Sequence, residues 1–260
     1  MNVSKEMTFF EHLEELKDRL TRIFISIVIV AGACFAFGLK EVEISGTKLI
    51  LPLPDPFNNI AAQVISSVGE FMKPEYVEFI MTAPAQAIIA QLYVSIFLGI
   101  VVSMPVIIKE VAAFVNPALY PHEREAITKL LIPGTVLFVG GCIFSYLWIT
   151  PFIIDFLYRY GLALQAATFI TLDSFISFVL LFVISFGIIF ELPVFMWIIT
   201  KAGVVEPSFW KRNFRYAVFA MIVFGAIITP DGSGITMWVI AAPMIVLYLG
   251  GYLIVSRAKK

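Results

Sequence analysis

Charge is scarce in this chain. Of its 260 residues, 14% are Asp, Glu, Lys or Arg and 60% are hydrophobic, and the mean hydropathy is +0.94. Soluble domains carry about 25% charged and about 45–50% apolar residues, so a soluble globular protein is excluded. Cysteine is nearly absent too. Cys34 and Cys142 both lie in apolar stretches, and no CxxC or Cys/His cluster accompanies them, so neither a disulfide framework nor a zinc site is supported. The motifs HExxH, GxSxG and GxxxxGK[ST] are missing. Enzymatic activity, a cofactor, a metal and a nucleic-acid partner are therefore not expected. An integral membrane protein remains, with little room for a soluble domain.

Charge-free windows mark the spans: Ile23–Leu39, then stretches within Phe79–Ile108 and Leu130–Ile154, then Ser174–Thr200, Tyr216–Pro230, and a stretch within Gly232–Ser256. About 20 apolar residues cross a hydrocarbon core of about 30 Å. The fifth window covers only about 22 Å at 1.5 Å per residue, so a short fifth helix is expected. The polar, acid-rich Met1–Arg22 stretch is neither a signal nor a transit peptide, and the first hydrophobic segment is expected to stay as an anchor. Of the 18 Lys and Arg, all but Lys40, Lys48, Lys73 and Arg159 fall in the N-terminal stretch, the second-to-third and fourth-to-fifth connections, and the C-terminus. The positive-inside rule then places both termini in the cytoplasm. The expected architecture is a single all-α, six-helix transmembrane domain over residues 1–260. It has a cytoplasmic amphipathic helix at 1–22, a long first outer loop at 40–83, a second at 150–173, and cytoplasmic loops at 109–129 and 201–215. Within the first outer loop Asp55-Pro56 reads as a helix start, with Phe57, Ile60, Val64, Val68 and Phe71 at helical spacing.

Three segments stand out. Glu191 is the only charged residue from Ser174 to Thr200. An acid at such depth costs about 2.5–3.5 kcal/mol on insertion scales, which makes it a functional candidate. Pro193 just beyond it distorts the helix. In the N-terminal stretch, Thr8 and Glu11 match a capping box, and Leu13, Leu16, Leu20, Ile23 and Ile27 form one stripe running into the first span. Glu15 there reads as one half of an i,i+4 pair with Arg19 on a solvated face, or as a binding group. In the second-to-third connection, Pro117 and Pro121 shape a rigid turn before Glu123. That acid reads as a complement to the helix dipole, or again as a binding group. Gly32, Gly99, Gly140, Gly141, Gly187 and Gly225 read as sites of close helix packing.

Together the segments His12-Leu13-Glu14-Glu15-Leu16-Lys17-Asp18-Arg19-Leu20, Phe114-x-x-Pro117-Ala118-Leu119-Tyr120-x-His122-Glu123-Arg124, Phe190-Glu191-Leu192-Pro193 and Thr229-Pro230-Asp231 resemble the TatC family, the multispanning core of the twin-arginine protein translocase. Lys17 stands where that family commonly has Arg, and the first outer loop is long and acidic. The resemblance implies a concave bundle in a prokaryotic cytoplasmic (inner) membrane. It implies a receptor and scaffold for twin-arginine signal peptides of folded cargo, driven by the proton gradient. Glu15 and Glu123 would each accept one arginine, with Leu16, Lys17 and Phe114 beside them. Glu191, Pro193 and Asp231 would form a membrane-embedded docking site for single-span Tat subunits of the TatA and TatB type in a multi-copy complex, in contact with lipid. The alternative from another class is a small proton-coupled secondary transporter using Glu191, against which the absence of paired repeats speaks.

Overall fold

The computed structural model describes residues 9–44, 47–115, 131–229, 231 and 233–257. Helix α1 (Phe9–Ala36) is continuous. The amphipathic stretch and the first apolar window are thus one rod, with no bend between them. Strands β1 (Phe37–Ile44) and β2 (Thr47–Pro54) follow as an antiparallel hairpin in the register Phe37↔Pro54 to Ile44↔Thr47. Then come helix α2 (Ile60–Met72), strand β3 (Glu78–Ile80) and helix α3 (Gln86–Val115). Helix α4 (Leu131–Phe144) passes through a π-helical turn (Ser145–Ile149) into α5 (Thr150–Ala163). Strand β4 (Phe169–Thr171) pairs in parallel with β3 and leads into α6 (Leu172–Phe190). Helices α7 (Leu192–Lys201), α8 (Pro207–Arg212), α9 (Phe214–Ile228) and α10 (Ile235–Arg257) complete the order.

Among the described residues, five helical stretches are long and apolar enough to cross a membrane: Phe10–Ala36, Gln86–Phe114, Leu131–Ala163, Leu172–Lys201 and Ile235–Arg257. Helix α9 is apolar but has only 15 residues, about 22 Å of rise.

The structure corrects the sequence reading in several places. The chain is mainly helical but not all-α, because two two-stranded sheets cap one end of the bundle. The segment expected as the first outer loop is therefore built of a hairpin, a helix and a strand. The signal was an apolar run on either side of Ser45-Gly46. Helix α2 starts at Ile60, not at Asp55-Pro56. Its N-cap is the fully buried Asn59, whose Oδ1 accepts the Ala62 N–H at 2.8 Å while its Nδ2 donates to Gln91 Oε1 on α3. Asp55 instead accepts the N–H groups of Phe57 and Asn58 and pairs with Lys40 at 2.7 Å. The Lys40 contact, then those two N–H groups, hold its carboxyl at about 2. A depressed carboxyl stabilises the fold above the ordinary aspartate range, and this contribution is lost as pH falls through about 2. The buried face of α2 is Ala61, Ile65, Val68, Gly69 and Met72, while Phe57 is 90% exposed.

Residues 150–163, expected above as the first part of the loop at 150–173, are helical and continue the helical stretch from Leu131 to Ala163. Pro151 cannot donate to a preceding carbonyl, but the π turn takes up the mismatch, with Thr150 N–H bonding to Ser145 O. The hydroxyls of Ser145 and Thr150, both fully buried, satisfy each other at 3.1 Å. In the expected loops at 109–129 and 201–215, residues 109–115 are instead the end of α3, and 207–212 form α8.

Helix α1 lies antiparallel against α3 and leaves most of its apolar length uncovered. A Cβ on Gly99 would meet the Ile27 carbonyl oxygen at 2.8 Å and Ala31 Cβ at 3.2 Å, so only glycine permits this approach. Ser26 donates to Ser103 at 2.8 Å one turn along. Gly141, Gly187 and Gly225 also lie at tight contacts, whereas Gly32 and Gly140 face open space. Gly99→Ala should therefore destabilise the protein in detergent by about 1–3 kcal/mol, while Gly140→Ala should be neutral or slightly stabilising. Thermal unfolding of the two variants checks this, and equal midpoints would refute the close-approach argument.

Candidate functional site

Two polar regions interrupt the apolar bundle. The first lies where the N-terminal part of α1 meets the C-terminal part of α3. Positions 12, 15, 19, 22 and 26 of α1 share one helical face, which is turned toward α3. Glu15 Oε1 accepts from Arg19 Nε at 3.0 Å and from its Nη2. Arg19 Nη1 reaches Glu110 Oε2 on α3 at 3.1 Å, and Arg22 Nη1 reaches the same oxygen at 3.0 Å. The Glu110 side chain is 7% exposed, and Glu110 is the one charged residue in the buried set among the described residues. A carboxylate buried to that degree is stable only when paired, and here two guanidiniums converge on it.

The ring of His12 stacks on Phe114 at 4.5 Å and 16°, and its Nδ1 lies 3.6 Å from Glu15 Oε2. That oxygen is buried and has no hydrogen-bond partner among the described residues. The structure thus brings Glu15 and Phe114 together through His12. Leu16 and Lys17 point elsewhere: with Leu13, Leu20 and Phe24 they line a shallow depression on the side of α1 away from α3. Glu123, Pro117 and Pro121 lie outside the described residues. Sequence reasoning missed Glu110. It stands beside Lys109 at the edge of a charge-free window and read as a boundary.

The second region centres on Glu191. Helix α6 ends at Phe190, and α7 restarts at Leu192 with Pro193 in its first turn. The Glu191 N–H bonds to Ile188 O at 3.0 Å, and Glu191 O accepts from Phe195 N at 2.9 Å, so the helix tightens by one residue without losing direction. The side chain faces α4 at Gly134. A Cβ there would sit 3.4 Å from Glu191 Oε2 and 2.8 Å from Ile108 Cδ1 of α3. Oε1 is buried without a hydrogen-bond partner among the described residues. Pro193 is buried against α10, whose Gly251 approaches its Cα, so it builds the bundle. Asp231, between α9 and α10, accepts the Thr236 hydroxyl at the start of α10. Burial works against its charge, but hydrogen bonds from Ser233 and Thr236 hold its carboxyl below the ordinary aspartate range. Asp231 is not joined to Glu191 by any contact among the described residues. About two turns along α6 from Glu191, an apolar cavity of about 480 Å³ opens between α2, α3, α4 and α6, lined by Val64, Phe97, Val139 and Val183 among others.

The family model for TatC, Sec-independent protein translocase protein, matches residues 11–243, from just before Glu15 to the middle of α10. The chain belongs to the TatC family. It is 42% identical over 255 residues to the Sec-independent protein translocase protein TatC of Cenarchaeum symbiosum, covering 98% of this chain and 97% of that one. Against its namesake from Aquifex aeolicus it is 32% identical over 243 residues, covering 93% and 92%. A crystal structure of the twin arginine translocase receptor TatC superposes with a TM-score of 0.75 at 30% identity, over 96% of this chain and all of that one. A second, in DDM, gives 0.76 at 31%, covering 94% and 99%. This TatC protein is therefore a membrane-embedded subunit of a protein translocase, from a non-enzymatic family, and the solute-transporter alternative is set aside.

Because Glu191 Oε1 has no hydrogen-bond partner among the described residues, Glu191→Leu should leave the detergent unfolding midpoint unchanged or raise it. A clear drop in midpoint would instead make Glu191 an internal strut.

Proposed function

We propose that this TatC protein is the receptor and scaffold subunit of a twin-arginine translocase in a prokaryotic cytoplasmic membrane. In this reading the chain spans the membrane six times, counting the short α9, with both termini cytoplasmic, in keeping with the distribution of Lys and Arg. Glu15 and Glu123 each accept one guanidinium of a paired-arginine signal peptide on folded cargo.

The observation that carries the reading is Glu15 Oε2, a buried acceptor with no hydrogen-bond partner among the described residues, beside His12 and on the same helix face as Arg19 and Arg22. A planar guanidinium offers the two parallel donors that a carboxylate can take, which an ammonium does not. Phe114, already stacked on His12, supplies a flat apolar wall beside that carboxylate. Leu16 and Lys17, on the other side of α1, are suited to contact peptide or lipid approaching from outside the bundle. The apolar part of the signal then inserts along the concave face that opens between α2, α3, α4 and α6.

Glu191 and Asp231 serve as polar points for single-span Tat subunits in a multi-copy complex, with α9 short enough to thin the surrounding lipid. Transport draws on the proton gradient across the assembled complex. A twin-arginine peptide should bind the protein in nanodiscs, and its Lys-Lys variant should bind at least about tenfold more weakly. Glu15→Gln and Glu123→Gln should each erase most of that preference. Equal binding of both peptides, or full preference in both variants, would reject the assignment.

A further inference from the structure

The carboxylate proposed to receive the signal peptide is already holding an arginine. Glu15 Oε1 takes two donors of Arg19, while Oε2 has only His12 Nδ1 at 3.6 Å and no hydrogen-bond partner among the described residues. An incoming guanidinium can make two parallel bonds to Glu15 only if Arg19 lets go. Arg19 has somewhere to go. Its third contact, Nη1, is already on Glu110 Oε2. The long stem lets the guanidinium swing wholly onto that carboxylate without moving either helix. Arg22, also on Glu110 Oε2, is 58% exposed and can give way toward solvent. The network is therefore arranged for exchange: two guanidiniums and two carboxylates, with one buried acceptor oxygen left over.

We propose that Arg19 is an internal competitor that occupies Glu15 in the empty receptor and transfers to Glu110 when a signal-peptide arginine arrives. Binding then replaces like with like. Glu15 is never left as an unpaired carboxylate at the membrane surface, and stray cations meet an occupied site. Glu110 sets the strength of the competition, because it draws Arg19 away from Glu15. Arg19 acts through Glu15 and touches no ligand itself.

This inference rests on the reading of Glu15 as an arginine acceptor, and the test separates the two. Binding of a twin-arginine peptide to the whole protein in nanodiscs is measured for wild type, Arg19→Gln, Arg19→Lys, Arg22→Gln and Glu110→Gln, with Glu15→Gln as reference. Arg19→Gln should tighten binding by about tenfold. Arg19→Lys keeps the charge but loses the fork, and should tighten it by about threefold. This second variant carries the test if the first does not fold. Glu110→Gln should weaken binding by about threefold or more, because Arg19 loses its alternative acceptor. A tighter complex on removing a buried ion pair is not what loss of a merely structural contact produces.

The competitor idea is overturned if both Arg19 variants bind as wild type or more weakly while Glu15→Gln still abolishes binding. It is also overturned if Arg22→Gln tightens binding as much as Arg19→Gln, since the effect would then be one of net charge. If wild type does not distinguish Arg-Arg from Lys-Lys peptide, the receptor reading fails and the competitor falls with it.

Discussion

The arrangement depends on one interface, that between α1 and α3. Inside a bilayer the drive to pack helices does not come from hiding apolar surface from water, because lipid is as apolar as leucine. It comes from close fit and from polar contacts that have no other outlet. Here both are concentrated along a single line: Gly99 against the Ile27 backbone, Ser26 on Ser103, then Arg19 and Arg22 on Glu110. Most of α1 beyond that line is uncovered. The position of Glu15 is thus set by α3 and by little else in the described structure.

The second organising fact is how the bundle accommodates groups that lipid does not tolerate. Prolines at three of the helix junctions each have their accommodation. Pro151 follows a π turn, Pro193 opens α7 after Glu191, and Pro207 opens α8. Backbone groups freed in this way are taken up locally, as a spanning structure requires. Polar side chains that are buried or partly buried likewise bond to one another: Ser145 with Thr150, Asn59 with Gln91, and the Trp210 indole with Thr200. Against that background, among the described residues, four buried carboxylate oxygens have no hydrogen-bond partner: Glu15 Oε2, Asp173 Oδ1, Glu191 Oε1 and Asp231 Oδ2.

Much of this was legible in the sequence, because charge-free windows and lone charges in them are signals of composition. The long apolar spans, the brevity of α9, the break at Glu191 and the run of the N-terminal stripe into α1 all follow from patterns within one segment. What escaped depends on pairing between segments or on local geometry. The β1–β2 hairpin was hidden because its first three residues, Phe37–Leu39, fell in the first charge-free window and the rest in a stretch read as a loop, whose acids obscured two short apolar runs. The extension of the third span past Pro151 needed a π turn that no residue pattern announces. Glu110 looked like the edge of a window until the antiparallel approach of α1 set Arg19 and Arg22 opposite it. Leu16 and Lys17, neighbours of Glu15 in sequence, turn away from it because a helix advances about 100° per residue.

The claim at the centre of this account is that α1 stays docked on α3 and presents Glu15 from there. Ser26→Cys with Ser103→Cys, in a background carrying Cys34→Ala and Cys142→Ala, tests it directly, since the two native hydroxyls lie 2.8 Å apart. Oxidation in the membrane should join the helices readily, and the bridged protein should keep the affinity of its reduced form for a twin-arginine peptide. Failure of the bridge to form in folded protein, or loss of peptide binding once it has formed, would show that α1 leaves α3 to do its work and would contradict the account.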